Sequence, residues 1–170
     1  MVTPETTQAD VLAFWNERAA LGEKAGTNDL LLVELERRHL LEHVPPRGPV
    51  RVLDAGCGTG ATLDWLAAQR PDLALYGFDA APAMIEVAQR HGIACLAVGD
   101  VTAPPPAVVI CGPYDLVYTQ RCLINLPSWE AQQRAIRALW ELVAPGGSLL
   151  LMESCRDGLQ SLNRWRKTKG

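Results

Sequence analysis

The stretch Val50-Arg51-Val52-Leu53-Asp54-Ala55-Gly56-Cys57-Gly58-Thr59-Gly60 decides how the rest of the chain is read. Val50, Val52 and Leu53 predict a short buried strand with Asp54 at its carboxyl end. The glycines at 56, 58 and 60 then predict a tight turn into a helix opening at Ala61. Glycine is required there because the backbone must take positive φ and let a ligand approach closely. In open α/β sheets this first strand, loop and helix border the crevice where nucleotide-like ligands bind. The acid before the glycines selects among them: a carboxylate repels a pyrophosphate and suits a cationic, amine-bearing ligand.

The residues downstream repeat the pattern. A second strand over 73–78 ends in Asp79, followed by Ala80, Ala81 and a helix that Pro82 opens and that runs to Arg90. Proline is well placed at a first helical position, where its missing N–H costs nothing. An acid at the end of this strand can accept both ribose hydroxyls. A third strand over 94–98 leads into Gly99-Asp100-Val101, and a fourth over 114–118 into Thr119-Gln120-Arg121. A helix over 128–143, a Pro145-Gly146-Gly147 stop and a fifth strand over 148–152 complete the alternation. Strands alternating with helices imply a parallel sheet.

Asp-x-Gly-x-Gly-x-Gly at 54–60 resembles the first motif of the class I methyltransferases, which use S-adenosylmethionine. Gly99-Asp100-Val101 resembles their adenine-binding position, and LVAPGGSLLLMES at 142–154 resembles the segment after their substrate strand. The resemblance runs from about Val50 to Ser154. It implies a Rossmann-like, doubly wound sheet of about five parallel strands in the order 3-2-1-4-5. The implied cofactor contacts are Trp15, Arg18, Asp54, Gly56, Cys57, Gly58, Asp79, Ala80, Asp100, Val101 and Gln120. S-adenosyl-L-homocysteine would be the product, alongside a methylated small molecule. Two other readings stand beside it. One is a catalytically silent cofactor-binding subunit. The other is a nicotinamide-dependent oxidoreductase, because Gly56, Gly58 and Ala61 also satisfy G-x-G-x-x-G/A.

Residues 1–45 are expected to form a helical lid over an α/β unit at 46–170, within a single structural domain. Thr7 and Asp10 fit a capping box, and Val11, Phe14 and Trp15 form an apolar stripe that Arg18 closes. Arg18 either snorkels to solvent or pairs with the carboxylate of the cofactor's methionine portion. "FWNERA" at 14–19 resembles cofactor-covering helices of related enzymes. Asn28 is expected to cap a second helix running to about His43, with Leu30, Val33, Leu40, Leu41 and Val44 on its apolar side. Glu36, His39 and His43 offer a metal-like spacing, but both histidines fall opposite that side, so no metal site is assigned.

Composition narrows the setting. The 170 residues are 48% hydrophobic with a net charge of −3, enough for one core and too mildly charged for a dedicated nucleic-acid or membrane partner. The excess of cations over 156–169 matches the negative end of a helix dipole. Residues 1–10 are polar, and no apolar run approaches the ~20 residues that span a bilayer. Five cysteines without a C-x-x-C pair point to reduced thiols and a cytoplasmic location. Cys57 is read as a small residue offering its backbone, not as a nucleophile.

Methyl transfer from a sulfonium is an in-line displacement that rests on positioning, so no catalytic residue is assigned. The acceptor belongs after the fourth strand, at 120–127. This segment lacks the Asp/Asn-Pro-Pro-aromatic motif that holds exocyclic amines of nucleobases. Arg121 either binds an acidic acceptor or pairs with Asp79 or Glu153, while Leu123, Ile124 and Leu126 read as packing. The family's sixth and seventh strands are not in the sequence. The fifth strand is therefore expected at a sheet edge, and since bare apolar edges invite pairing, either the sequence is a fragment of a longer chain, or a partner covers that edge, or the tail folds back over it. A homodimer through residues 148–165 is the corresponding expectation, with 159–165 packing across it.

Overall fold

The computed structural model describes residues 7–46, 48–93 and 95–169; within the last helix nothing is said of the side chains of 159, 161, 162, 165, 166 and 169. Ala94 and the side chains of Leu159, Leu162 and Trp165, all part of the expectations above, lie outside the described residues. Five parallel strands form one sheet in the order β3-β2-β1-β4-β5, as expected. They are β1 (Arg51–Ala55), β2 (Ala74–Asp79), β3 (Cys95–Val98), β4 (Tyr114–Gln120) and β5 (Val143–Met152). The order reverses direction between β1 and β4, so the carboxyl ends of β1, β2, β3 and β4 open on a shared crevice.

Alternation along the strands sends side chains to two separate cores. Leu53, Ala55, Phe78 and Val117 pack on one face with Ala135 and Leu139 of α6 (Trp129–Trp140) and Val108 of α5 (Pro106–Cys111). Val52, Leu116 and Tyr118 pack on the other with Leu40 of α2 (Leu30–His43) and Leu66 of α3 (Ala61–Gln69). Both faces of β1 and β4 are covered, which explains the apolar runs Val52-Leu53 and Leu116-Val117-Tyr118 within them.

Local chemistry sets the helix starts. Thr7 and Asp10 form the expected capping box on α1 (Gln8–Arg18). Pro82 opens α4 (Pro82–Ala88), and Ser128 caps α6 by accepting from the Ala131 N–H at 3.1 Å. The cap of α2 differs from the expectation. Asp29, not Asn28, accepts from the Leu32 N–H at 3.0 Å, one position further on because the chain bends through Thr27, whose hydroxyl holds the Asp29 N–H. The helix α5 had no counterpart in the sequence reading; it is one short turn-and-a-half whose Val109 and Ile110 remain exposed, so no amphipathic period announces it.

The fifth strand also starts earlier than expected. Val143 already pairs with Tyr114, and the ladder resumes at Ser148 opposite Leu116 after an irregularity. Pro145-Gly146-Gly147 is thus a bulge inside the strand, where a Cβ on Gly147 would lie 2.8 Å from the Asp115 carbonyl. Among the described residues β5 pairs with β4 alone. Leu149, Leu150 and Met152 are nevertheless packed onto the two cores, so the bare feature is the backbone edge and not an apolar face. The described side chains of α7 (Arg156–Lys169) are exposed.

Gly60, the residue before α3, has φ of 74°, and a Cβ there would meet the Ala88 Cβ at 2.9 Å and its Cα at 3.2 Å. Gly60→Ala is therefore expected to cost about 2–4 kcal/mol, from the left-handed backbone and overpacking together. A lowered urea midpoint with unchanged m-value checks this.

Candidate functional site

At the carboxyl ends of β1, β2 and β4 the chain encloses a cavity of about 390 Å³. The glycine loop forms its floor. Gly56 and Gly58 have φ of 85° and 52°, and the Gly56 and Cys57 N–H groups donate to the Phe78 carbonyl at 2.8 and 3.0 Å. A side chain at Gly56 would collide with Cys122, whose Cβ lies 2.8 Å from the added atom. At Gly58 it would meet no protein atom within 4 Å. That empty volume is where a ligand can touch the backbone.

Asp54 dominates the electrostatics. It is 2% exposed; its Oδ2 accepts from the Tyr118 hydroxyl at 2.7 Å, while Oδ1 has no partner at all. Burial pushes its carboxyl up to about 7, against the hydrogen bond from Tyr118 and with a smaller push from the Asp79 charge. A buried polar atom without a partner is costly, and this one lines the cavity. Such a carboxylate fits an ammonium group, which tests the expected amino-acid end of the cofactor on the structure itself.

Asp79 is held from below: Oδ2 accepts from the Gly58 N–H at 2.9 Å and Oδ1 from the Ala81 N–H at 2.8 Å. Burial raises its carboxyl, and the two N–H bonds pull it back. Asp100 is braced through Oδ1 by the Thr102 N–H and hydroxyl, and its Oδ2 accepts from Gln8 of α1 at 2.9 Å. That last bond ties the N-terminal helix to the β3 end of the cavity. Trp15, Cys57, Ala80, Val101 and Gln120 line the same space. The structure thus brings together ten of the eleven residues expected to hold the cofactor.

Arg18 is the exception. Its Nε donates to the Ala25 carbonyl at 2.6 Å and Nη2 to the Lys24 carbonyl at 3.3 Å, with the guanidinium 5.3 Å from the Phe14 ring centroid. It faces the 3-10 segment Ala19–Ala25, kinked at Gly22. Arg121 lines the cavity after β4, and Arg37 lines it from α2. Arg37 is 7% exposed, pairs with Glu23 at 2.7 Å and reaches Thr62 in the first turn of α3 at 3.4 Å. The signal for it is plain in hindsight: Arg37 lies four residues after Val33 and three before Leu40, on the apolar side of α2.

Two further expectations are corrected. Arg121 pairs with neither Asp79 nor Glu153. Its Nη2 lies 3.4 Å from Glu36 Oε2, which also accepts from Gln120 Nε2 at 2.6 Å. Glu153 instead accepts from the N–H groups of Cys122 and Leu123 at 3.0 Å each, holding the turn after β4. Of the three apolar residues read as packing, Leu123 is buried in the core and Leu126 packs against it while also lining the cavity; Ile124 lines the cavity and is exposed. His39 and His43 project from α2, and among the described residues no group of three or more His, Cys, Asp or Glu is placed to hold a metal. Burial pushes the Cys57 and Cys122 thiols well above their ordinary value, which leaves neither as a nucleophile.

A family described as "Methyltransferase domain" matches residues 52–147. Trans-aconitate 2-methyltransferase of Methylobacterium nodulans is 35% identical over 116 residues, covering 65% of this chain and 40% of that protein. Malonyl-[acyl-carrier protein] O-methyltransferase of Erwinia pyrifoliae is 34% identical, covering 76% and 48%. Among solved structures, N-methyltransferase NodS from Bradyrhizobium japonicum WM9, in complex with S-adenosyl-L-homocysteine, superposes with a TM-score of 0.72 at 25% identity, covering 91% and 77%. The chain spans less than half the length of the two curated relatives. With the glycine loop, the ordered acids and the strand order in place, the chain belongs to the methyltransferase-domain family.

Proposed function

We propose that the chain takes part in S-adenosylmethionine-dependent methyl transfer to a small-molecule acceptor. The observation that carries this reading is Asp54: a buried carboxylate at the glycine loop with one oxygen unanswered, facing a cavity. The cofactor supplies a methyl group already activated on a sulfonium. The chain's part is to bind, orient and exclude water. Asp54 receives the ammonium of the methionine portion, Gly56 and Gly58 meet its backbone, and Arg37 takes its carboxylate. Asp79 accepts the ribose hydroxyls, and Asp100 with Val101 meets the adenine. The related proteins are methyltransferases acting, by their names, on trans-aconitate and malonyl-acyl-carrier protein. They favour turnover over a silent subunit, and Asp54 disfavours the pyrophosphate of a nicotinamide cofactor.

We read residues 1–45 as a lid, supported by Phe14, Trp15 and Val33 in the cavity wall and by the Gln8–Asp100 hydrogen bond. A cytoplasmic setting is supported by five free cysteines. No helix among the described residues is long and apolar enough to cross a membrane.

Binding of S-adenosyl-L-homocysteine tests the assignment. Asp79→Ala is expected to weaken it by about 1.5–3 kcal/mol, the scale of hydrogen bonds to a charged group. Gly58→Val is expected to abolish it, by filling the ligand's volume. Arg37→Gln is expected to weaken S-adenosyl-L-homocysteine and spare adenosine, which has no carboxylate, while Arg18→Ala spares both. Calorimetry in which Arg18→Ala alone shows the loss reverses the two roles.

The Asp54 carboxyl, raised from 3.8 to about 7, adds a pH dependence. An ammonium ligand needs the ionised form, so affinity is expected to fall roughly tenfold per pH unit below 7 and level off above it. Adenosine lacks the ammonium and shows no such slope, and Asp54→Asn removes it. Without ligand the folded state binds the extra proton between 3.8 and about 7. Stability of the free protein therefore declines as pH rises through that window.

We also propose self-association through the free edge of β5, the cover most readily supplied by a second copy. Sedimentation at micromolar concentration is expected to show a dimer; a stable monomer removes this proposal.

A further inference from the structure

The end of the sheet opposite the cavity carries a cluster that cofactor binding does not use. Arg51, Cys95 and Tyr114 are the first residues of β1, β3 and β4, and Tyr76 of β2 stands in register with Cys95. The helix α5 runs back to this end and finishes in Cys111. There the Cys95 and Cys111 sulfurs approach to 3.8 Å. Both residues are partly exposed, so a small solute can reach them.

The fold enforces this approach from both sides. Cys95 is fixed in the ladder between β2 and β3. Cys111 belongs to a helix whose Val108 side chain is fully buried in a core and whose Val108 carbonyl accepts from the Tyr114 hydroxyl at 2.7 Å. Neither sulfur hangs from a free loop.

A cation stands beside the pair. The Arg51 guanidinium lies 5.6 Å from the Tyr76 ring centroid and 6.0 Å from that of Tyr114, within electrostatic reach of the Cys111 sulfur. Reactive cysteines sit beside such cations, because the thiolate is the nucleophile. The other three cysteines are set differently. Burial holds the Cys57 and Cys122 thiols well above their ordinary value, and the exposed Cys155 sulfur accepts from the Gly158 N–H at 3.3 Å.

We propose that Cys95 and Cys111 are a redox modification site, oxidised by a peroxide to a reversible disulfide that clamps β3 to α5. The Cys111 sulfur attacks one peroxide oxygen. A sulfur–oxygen bond forms, the oxygen–oxygen bond breaks, and the hydroxide that leaves takes up the thiol proton as water. The Cys95 sulfur then displaces the hydroxyl from Cys111. A sulfur–sulfur bond forms, the sulfur–oxygen bond breaks, and the hydroxyl departs with the Cys95 proton as a second water. Two thiols lose two electrons in all, and one peroxide gains them. Thiol reductants reverse the bond by exchange. In reducing compartments, pairs that oxidise in this way act as transient sensors. The bridge joins residues sixteen positions apart, and the segment it encloses carries Asp100 and Val101 to the cavity. Closing that loop restricts the unfolded chain and so stabilises the fold. The site lies across the sheet from the cavity, so it stands whichever ligand the cavity takes.

The test uses the full chain carrying Cys155→Ser, which removes the exposed thiol. Reduced protein is treated with a small molar excess of hydrogen peroxide, denatured, alkylated, and digested on the amino side of aspartate, which separates Cys95 from Cys111 at Asp100. The two peptides are expected joined within one chain, and parted by dithiothreitol. The oxidised protein is expected to melt about 5 °C above the reduced one, a shift absent when Cys95→Ser is added. In that variant dimedone is expected to trap a sulfenic acid at Cys111. A pair that stays reduced, linkage found only between chains, no dimedone adduct at Cys111, or a linked protein with unchanged Tm each overturns the proposal.

Discussion

A carboxylate buried at the end of β1 with only one of its oxygens answered is the constraint around which the rest of the cavity is arranged. Asp54 sits where the sheet is most completely covered, between Val52 and Leu53 of the two cores and the glycine loop. Tyr118, reaching across from β4, supplies its single hydrogen bond. Both partners are fully inside the parallel ladder, which registers Asp54 directly opposite Tyr118. The sheet therefore fixes the geometry of the pair before any ligand arrives. Leaving the second oxygen without a donor is unfavourable for folding, and a cationic ligand offsets that cost when it binds.

From this point charge is laid out in order along the strand ends. Asp54, Asp79 and Asp100 follow successive strands away from β4; Asp79 and Asp100 have both carboxyl oxygens held, and Asp54 has one. The cations sit elsewhere. Arg37 comes from α2 and lies beside the first turn of α3, and Arg121 comes from the turn after β4. Each is held by an acid, Glu23 and Glu36 respectively, which steadies the guanidinium without filling all its donors. The two guanidiniums are linked through Thr62, Gln120 and Glu36, apart from the three acids at the ends of β1, β2 and β3.

Much of this was legible in the sequence because it depends on backbone demands and strand-end positions. Asp54, the glycines, Asp79 and Asp100 follow from the alternation of strands with turns, and the parallel order follows from it too. What could not be read was set by tertiary contacts. Arg18 and Arg37 both occupy apolar helix faces. Which of them reaches the cavity depends on the kink at Gly22, which turns the carbonyls of Lys24 and Ala25 toward Arg18. Glu36 looked like part of a histidine cluster because its partners, Gln120 and Arg121, are more than eighty residues away. The bulge in β5 arises from Gly147 lying against the Asp115 backbone, a contact between strands that Pro-Gly-Gly alone reads as a stop.

The N-terminal segment supplies one wall of the cavity. α1 contributes Gln8, Phe14 and Trp15, α2 contributes Val33 and Arg37, and the kinked segment between them contributes Gly22 and Glu23. The segment is attached to the sheet by the Leu40 and Val44 side chains in the second core and by polar contacts of Gln8 with Asp100, Asn16 with the Ala83 N–H, Arg37 with Thr62 and Glu36 with Gln120. Between them lies a small apolar contact of Ala19, Ala25, Ala81 and Met84. Small residues there bury little area, so this seam is weaker than either core. Elements that cover ligands are drawn from the less stable parts of a fold. Gln8 and Arg37 hold the N-terminal segment to the strand ends through groups that line the cavity themselves.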